Sequence, residues 1–264
     1  SSLVGSEMCI RDREFLVENS GNARLYITAH GIYNAYINGK KAGDFILAPG
    51  TSQYNARLQY QTYDVSGLLN VGKNEILVTV GDGWWRGDTG YGGVRNSFGT
   101  DLAILCQLEI DRKTVLISDK SWSASQEGPL GLNDLMQGEC YDARKENICE
   151  WHPVTEKQFG YENLVCSNSF DVVEKENFTG KQIHTPNGEV VIDFGQNIAG
   201  YVKFGFYAQA GQCITLYHGE CLDQNGNFTQ ENFQAPEHRV EQCVKYICKE
   251  GWNEYKPELS LIHI

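Results

Sequence analysis

No run in the sequence approaches the ~18 consecutive apolar residues of a membrane span, so the chain as given does not cross a bilayer. Positive charge is in short supply. Lys and Arg total 22 against 34 Asp and Glu, a net charge of −12, which excludes binding of a nucleic-acid backbone by bulk electrostatics. Helical periodicity is missing too: no segment carries a sustained apolar stripe of period 3.6, and only turns at 65–69 and around 142–145 look helical. There is no Walker motif, Rossmann glycine pattern, H-E-x-x-H or G-x-S-x-G, so nucleotide, zinc-hydrolase and serine-esterase chemistry have no support. The nine cysteines (9, 106, 140, 149, 166, 213, 221, 243 and 248) include no C-x-x-C and form no regular framework. They read as small apolar core residues of a reducing cytosol, which makes a cytoplasmic location the expectation.

What is present is glycine, 28 residues against 6 prolines, and a rich aromatic complement of 14 Tyr, 11 Phe and 5 Trp. With 41% hydrophobic and 21% charged residues the chain is too apolar for disorder over most of its length. The combination predicts many strands joined by tight turns. Period-2 alternation marks strands at 23–29 (ARLYITA), 33–37 (YNAYI), 75–80 (EILVTV), 101–110 (DLAILCQLEI) and 115–117. Further strands are expected at 190–194 (VVIDF), 201–207 (YVKFGFY), 213–218 (CITLYH) and 241–248 (EQCVKYIC). Asn38-Gly39 predicts a type I′ hairpin because both residues tolerate positive φ, and Asp82-Gly83, Asn187-Gly188 and Asn225-Gly226 are further turn signals. The fold expected is all-β: two antiparallel β-sandwich (jelly-roll-like) domains, at 14–152 and 181–258, the second truncated, with the polar stretch 153–180 as linker. The strings at 1–13 (SSLVGSEMCIRDR) and 259–264 (LSLIHI) fit neither their surroundings nor a targeting signal. Both resemble translated sequencing-adapter read-through, are expected to be non-native, and imply a gene that continues in both directions.

The most unusual stretch is Gly81-Asp82-Gly83-Trp84-Trp85-Arg86-Gly87, a glycine-rich loop after a strand. An exposed indole is a platform for the C–H face of a sugar, so Trp84 and Trp85, with Tyr54, Asn55, Asp88 and Tyr91 as polar partners, form the candidate carbohydrate site. The competing reading, favoured by the size of the side chain, buries both indoles against the end of the sandwich. Glu139 and Asp142 have the residue types of a glycosidase acid/base pair. They read better as parts of a salt-bridged, capped turn, with Asp134 and Arg144, that fixes an interdomain contact. His218-Gly219-Glu220 ends a strand and reads as structural rather than metal-binding. The segment 223–227 fails the EF-hand pattern, since Phe228 stands where glycine is needed and Gln234 where Glu is needed, and is expected to be a hairpin turn. No cofactor and no metal are expected. A calcium ion in the first sandwich stays open without a motif to place it.

Four segments together resemble the N-terminal region of bacterial α-L-rhamnosidases, glycoside hydrolase family 78. They are 23–31 (ARLYITAHG) with Tyr36-Ile37-Asn38-Gly39 and Leu47-Ala48-Pro49-Gly50; 60–65 (YQTYDV) with 81–87; 133–139 with Tyr141-Asp142-Ala143-Arg144; and 193–202 (DFGQNIAGYV), with His218-Gly219-Glu220 downstream. The resemblance spans 23–258 in the family's order. It implies a jelly-roll N-terminal domain of carbohydrate-binding-module character followed by a concanavalin-like β domain. It further implies an inverting hydrolysis of terminal α-L-rhamnose whose catalytic carboxylates sit on a downstream (α/α)6 barrel, so that no catalytic residue falls on this chain and the chain alone is inactive. Asp134, Glu139, Asp142, Arg144, Gln196, Asn197 and Glu220 are then interdomain or structural residues. The expected partners are rhamnose-containing glycans and the chain's own catalytic domain, with neither nucleic acid nor membrane. A stand-alone rhamnose-binding module and a structural spacer are the alternatives.

Overall fold

The structure is a computed structural model that describes residues 2–5, 9–90, 92–148, 150–257 and 262–263, with side chains for 12–90, 92–148 and 150–257. Tyr91 and the side chains of Cys9 and Cys149 therefore lie outside the described residues, as do 259–261 and 264.

Alternation of apolar and polar side chains builds the first half. In Ala23–His30, Ala23, Leu25, Ile27 and Ala29 point inward; in Leu102–Ile110 the inward set is Leu102, Ile104, Cys106, Leu108 and Ile110. These strands lie side by side, flanked by Leu58–Asp64, in one sheet. Opposite it, Gly72–Gly81 pairs with Ile32–Ile37 on one side and Cys9–Val17 on the other, burying Ile76, Val78 and Val80. The two inner faces share one core, closed at one end by the fully buried Trp122, whose indole N–H donates to the Ile117 carbonyl at 2.9 Å. This is a β-sandwich, the arrangement in which two half-apolar sheets hide their faces from water. Asn38 and Gly39 have φ of 50° and 74°, the type I′ geometry. The Asn38 side chain locks the turn by donating to Leu68 O and Asn74 Oδ1 (both 2.8 Å) and accepting from Glu75 N.

The strands Ser2–Gly5 and Cys9–Val17 place most of the segment 1–13 within these two sheets. The stretch 153–180 is not a free crossing: His152–Pro153, Thr155–Lys157 and Leu164–Cys166 each add to a sheet of the sandwich.

The second half is less well buried. Its strands form two-stranded ladders, Lys181–His184 with Val190–Asp193 and Phe204–Ala208 with Gly251–Tyr255, and a four-stranded sheet. That sheet joins the halves. The hairpin Leu130–Asp134/Gly138–Asp142 leaves the first sandwich and pairs in parallel with Cys243–Ile247, which pairs in turn with Cys213–Tyr217. Under it Ala143, Tyr246 and Cys248 form a small core with Tyr141, Phe204, Phe206 and Tyr255. The chain is all-β, as expected, but two of its described pairings are parallel: this one and Leu164–Cys166 on Leu58–Asp64.

Candidate functional site

Asp82 to Gly87 is not extended. Gly83–Arg86 forms a single helical turn, tied by an Arg86–Asp82 ion pair of 2.7 Å across i,i+4. Consecutive residues of such a turn diverge by roughly 100°. Trp84 therefore packs half-buried toward Ile32, Ile46 and Leu47, while Trp85 turns into the end of the sandwich and is 8% exposed.

Trp85 walls a cavity of about 220 Å³ with His30, Tyr54, Asn55, Phe98, Phe159 and Asn163. Its indole stacks on the His30 imidazole, centroids 3.7 Å apart and planes 8° apart, and its N–H donates to Asp101 O at 3.1 Å. Tyr54 meets Trp85 and Phe98 edge-on at 5.6 and 4.9 Å, and its hydroxyl donates to Gly50 O. Asn163 donates to the Tyr54 carbonyl at 2.6 Å. The His30 Nδ1 is buried and has no hydrogen-bond partner among the described residues. Burial, reinforced by nearby Lys157, pushes the imidazole down to about 4, so the ring is neutral at pH 7. Of the six expected carbohydrate residues, Tyr91 lies outside the described residues, and Trp85, Tyr54 and Asn55 meet at this cavity. Trp84 and Asp88 do not: the helical turn sends Trp84 to another cluster, and Asp88 is held elsewhere. His30, Phe98 and the pair Phe159 and Asn163 come from three separated segments, so no local pattern in the sequence marks them.

Asp88 belongs to an ionic network between the halves. Asp134, fully buried, accepts Met136 N and Gln137 N on Oδ1, and Asp88 N and Arg95 on Oδ2, all within 3.0 Å. Arg95 also reaches Asp82 at 3.0 Å. Burial raises the Asp82 carboxyl, while Arg86 and Arg95 pull it back. Asp88 Oδ2 accepts Gln137 Nε2 and stands 2.7 Å from His238 Nε2. Its Oδ1 is buried without a partner.

Glu139, 2% exposed, accepts from Asn133 Nδ2 at 2.9 Å and from the Tyr255 hydroxyl. Asp142 caps the short helical turn Ala143–Lys145 by accepting Arg144 N, and its carboxylate takes both Arg144 Nε and Nη2, which hold it below the ordinary carboxylate range. Gln196 and Asn197 are exposed in the turn after Val190–Asp193. Glu220 is exposed and accepts from Asn232 Nδ2. His218 is buried with its Nδ1 at 2.9 Å from Gln242 O, and Asp223 Oδ1 accepts Asn225 N and Asn227 N in a hairpin turn. No cluster of three His, Cys, Asp or Glu suited to a metal occurs among the described residues, and no described helix is long and apolar enough to cross a membrane.

Two family models cover the chain in succession: the α-L-rhamnosidase N-terminal domain at residues 18–182 and the bacterial α-L-rhamnosidase concanavalin-like domain at 183–261. An α-L-rhamnosidase of Streptomyces avermitilis is 33% identical over 228 residues, 81% of this chain but 22% of that protein. The crystal structure of an Aspergillus terreus α-L-rhamnosidase superposes with a TM-score of 0.91 at 31% identity, over 100% of this chain and 33% of the other. The Streptomyces avermitilis enzyme crystallised with L-rhamnose gives a TM-score of 0.88 at 30% identity, over 98% of this chain and 26% of that one. The chain thus spans about a fifth to a third of the length of these relatives.

Proposed function

This chain belongs to the α-L-rhamnosidase family, and from that premise we propose that it is the non-catalytic, sugar-handling β portion of a protein that hydrolyses terminal α-L-rhamnose from glycosides. The observation that carries the reading is the state of the carboxylates. Hydrolysis by inversion needs a free acid and a free base about 6.5–9.5 Å apart across an open cleft. Glu139 is committed to Asn133 and Tyr255, and Asp142 to Arg144, so the pair works as joinery. Chemistry then belongs to another part of a longer protein.

The aromatic cavity is the place for a sugar. Its volume of about 220 Å³ is below that of drug-sized pockets and suits one pyranose ring. A neutral His30 with an unpartnered Nδ1 offers a buried polar contact to a sugar hydroxyl, and the Tyr54, Phe98 and Phe159 rings offer apolar walls to its C–H face. The His30 ring covers one face of Trp85, so that face is closed to a sugar.

Titration of the purified chain with L-rhamnose, followed by tryptophan fluorescence, is expected to saturate, and His30→Ala is expected to weaken it about ten-fold, one lost polar contact. An aryl α-L-rhamnoside is expected to stay intact. Turnover by the chain alone would place the chemistry here and overturn the reading. Absence of any L-rhamnose response would leave the β portion a spacer.

A further inference from the structure

A cleft of about 740 Å³ opens between the outer face of the first sandwich and the second half. Tyr36 and Leu77 line it from one side, Tyr141 and Tyr255 from the other, and the buried Glu139 carboxylate forms part of its floor. Lys203 and Glu254 stand at its lip, ion-paired at 2.6 Å and both more than half or half exposed at 62% and 50%. The lip continues onto the outward face of the ladder Phe204–Ala208/Gly251–Tyr255. In that register Glu254 faces Gly205 and Trp252 faces Tyr207, so all four share one face while Phe204, Phe206 and Tyr255 take the buried one. Gly205 has a specific part. A Cβ there would sit 2.8 Å from Trp252 Cζ2, so the missing side chain lets the indole lie across the strand. Trp252 is 49% exposed and Tyr207 81%, their rings 5.1 Å apart at 63°.

We propose that this cleft and the Trp252 platform at its lip form a second glycan site, separate from the aromatic cavity, that takes a neutral oligosaccharide chain. The proposal rests on the carbohydrate-handling reading above. An indole spread over a glycine presents a flat apolar face to pyranose C–H groups. Lys203 and Glu254 beside it supply a donor and an acceptor for flanking hydroxyls, in charge-assisted bonds. Across the whole cleft Glu75, Glu139 and Glu254 stand against Lys203 and Lys256, a near balance of charge that matches an uncharged ligand. The cleft is more than three times the volume of the aromatic cavity, room for a chain rather than one ring.

The test is calorimetric titration of the full chain with L-rhamnose and with an L-rhamnose-capped neutral trisaccharide. Trisaccharide binding about ten-fold tighter than L-rhamnose is expected. Trp252→Ala and Glu254→Gln, both exposed positions that leave the fold intact, should remove that advantage and leave L-rhamnose binding unchanged. Equal affinities for the two sugars, or an advantage that survives both substitutions, would overturn the second site while the cavity reading stands. Trisaccharide binding lost in Trp252→Ala with no L-rhamnose binding at all would support the second site and sink the cavity. Neither sugar bound would overturn both.

Discussion

His30 shows what burial does to one titratable group. The ring is wedged between Trp85 and Phe159, and a proton on it would have to be carried without water beside a lysine. Its folded value of about 4 lies below the ordinary 6.5, so between these pH values the unfolded chain binds a proton that the folded chain refuses. The stabilisation is complete above pH 6.5 and is lost as the pH falls toward 4; it is on the order of 3 kcal/mol. Melting curves from pH 7.5 to 4 should show this loss. His30→Phe, which keeps the stack and removes the titration, should flatten the acid limb. An unchanged acid limb would mean that the ring is already solvated.

At the scale of elements, the decisive contact is the parallel pairing of Gly138–Asp142 with Cys243–Ile247, which among the described residues is the strand pairing that joins the hairpin to the second half. Gly138 makes the approach possible. Its φ is 103°, and a Cβ would come within 1.9 Å of the Cys243 carbonyl oxygen, a backbone atom that cannot swing aside. Gly138→Ala is therefore expected to cost more than about 2 kcal/mol and to raise hydrogen exchange across 243–247 selectively, with 102–110 staying protected. Uniform exchange throughout would show that the pairing contributes little. This hairpin was also hidden from pattern reading. Its buried residues Asn133, Asp134, Glu139 and Asp142 are polar, made tolerable by one another, by Asp88, Arg95 and Tyr255 from other segments, or by local caps. Leu58–Asp64 hides in the same way behind buried Gln59 and Gln61. Alternation reports burial only where the buried set is apolar.

At the scale of the molecule, the His238–Asp88 contact crosses between the halves, and Asp88 is anchored on its own side through its N–H to Asp134, which Arg95 ties to Asp82. Breaking one partner of a buried pair costs more than the pair contributes, because the remaining group stays buried and unpaired. Asp88→Asn keeps the shape and removes the charge. Urea unfolding, monitored by fluorescence and by exchange in both halves, is expected to change from one transition to two, the second half melting first. A single transition in the variant would locate the coupling in the parallel strands alone. The alternation at 23–29, 33–37, 75–80 and 101–110 was enough by itself to determine an all-β chain and most of the first sandwich, since period 2 is a local property of a strand with one apolar face. The Asn38-Gly39 turn was equally local, set by two residues that accept positive φ. Only the tertiary structure decided which indole is buried, which carboxylates are spent on joinery and which rings enclose the cavity. Those outcomes depend on side chains meeting from segments far apart in the chain, where distance along the sequence carries no record of distance in space.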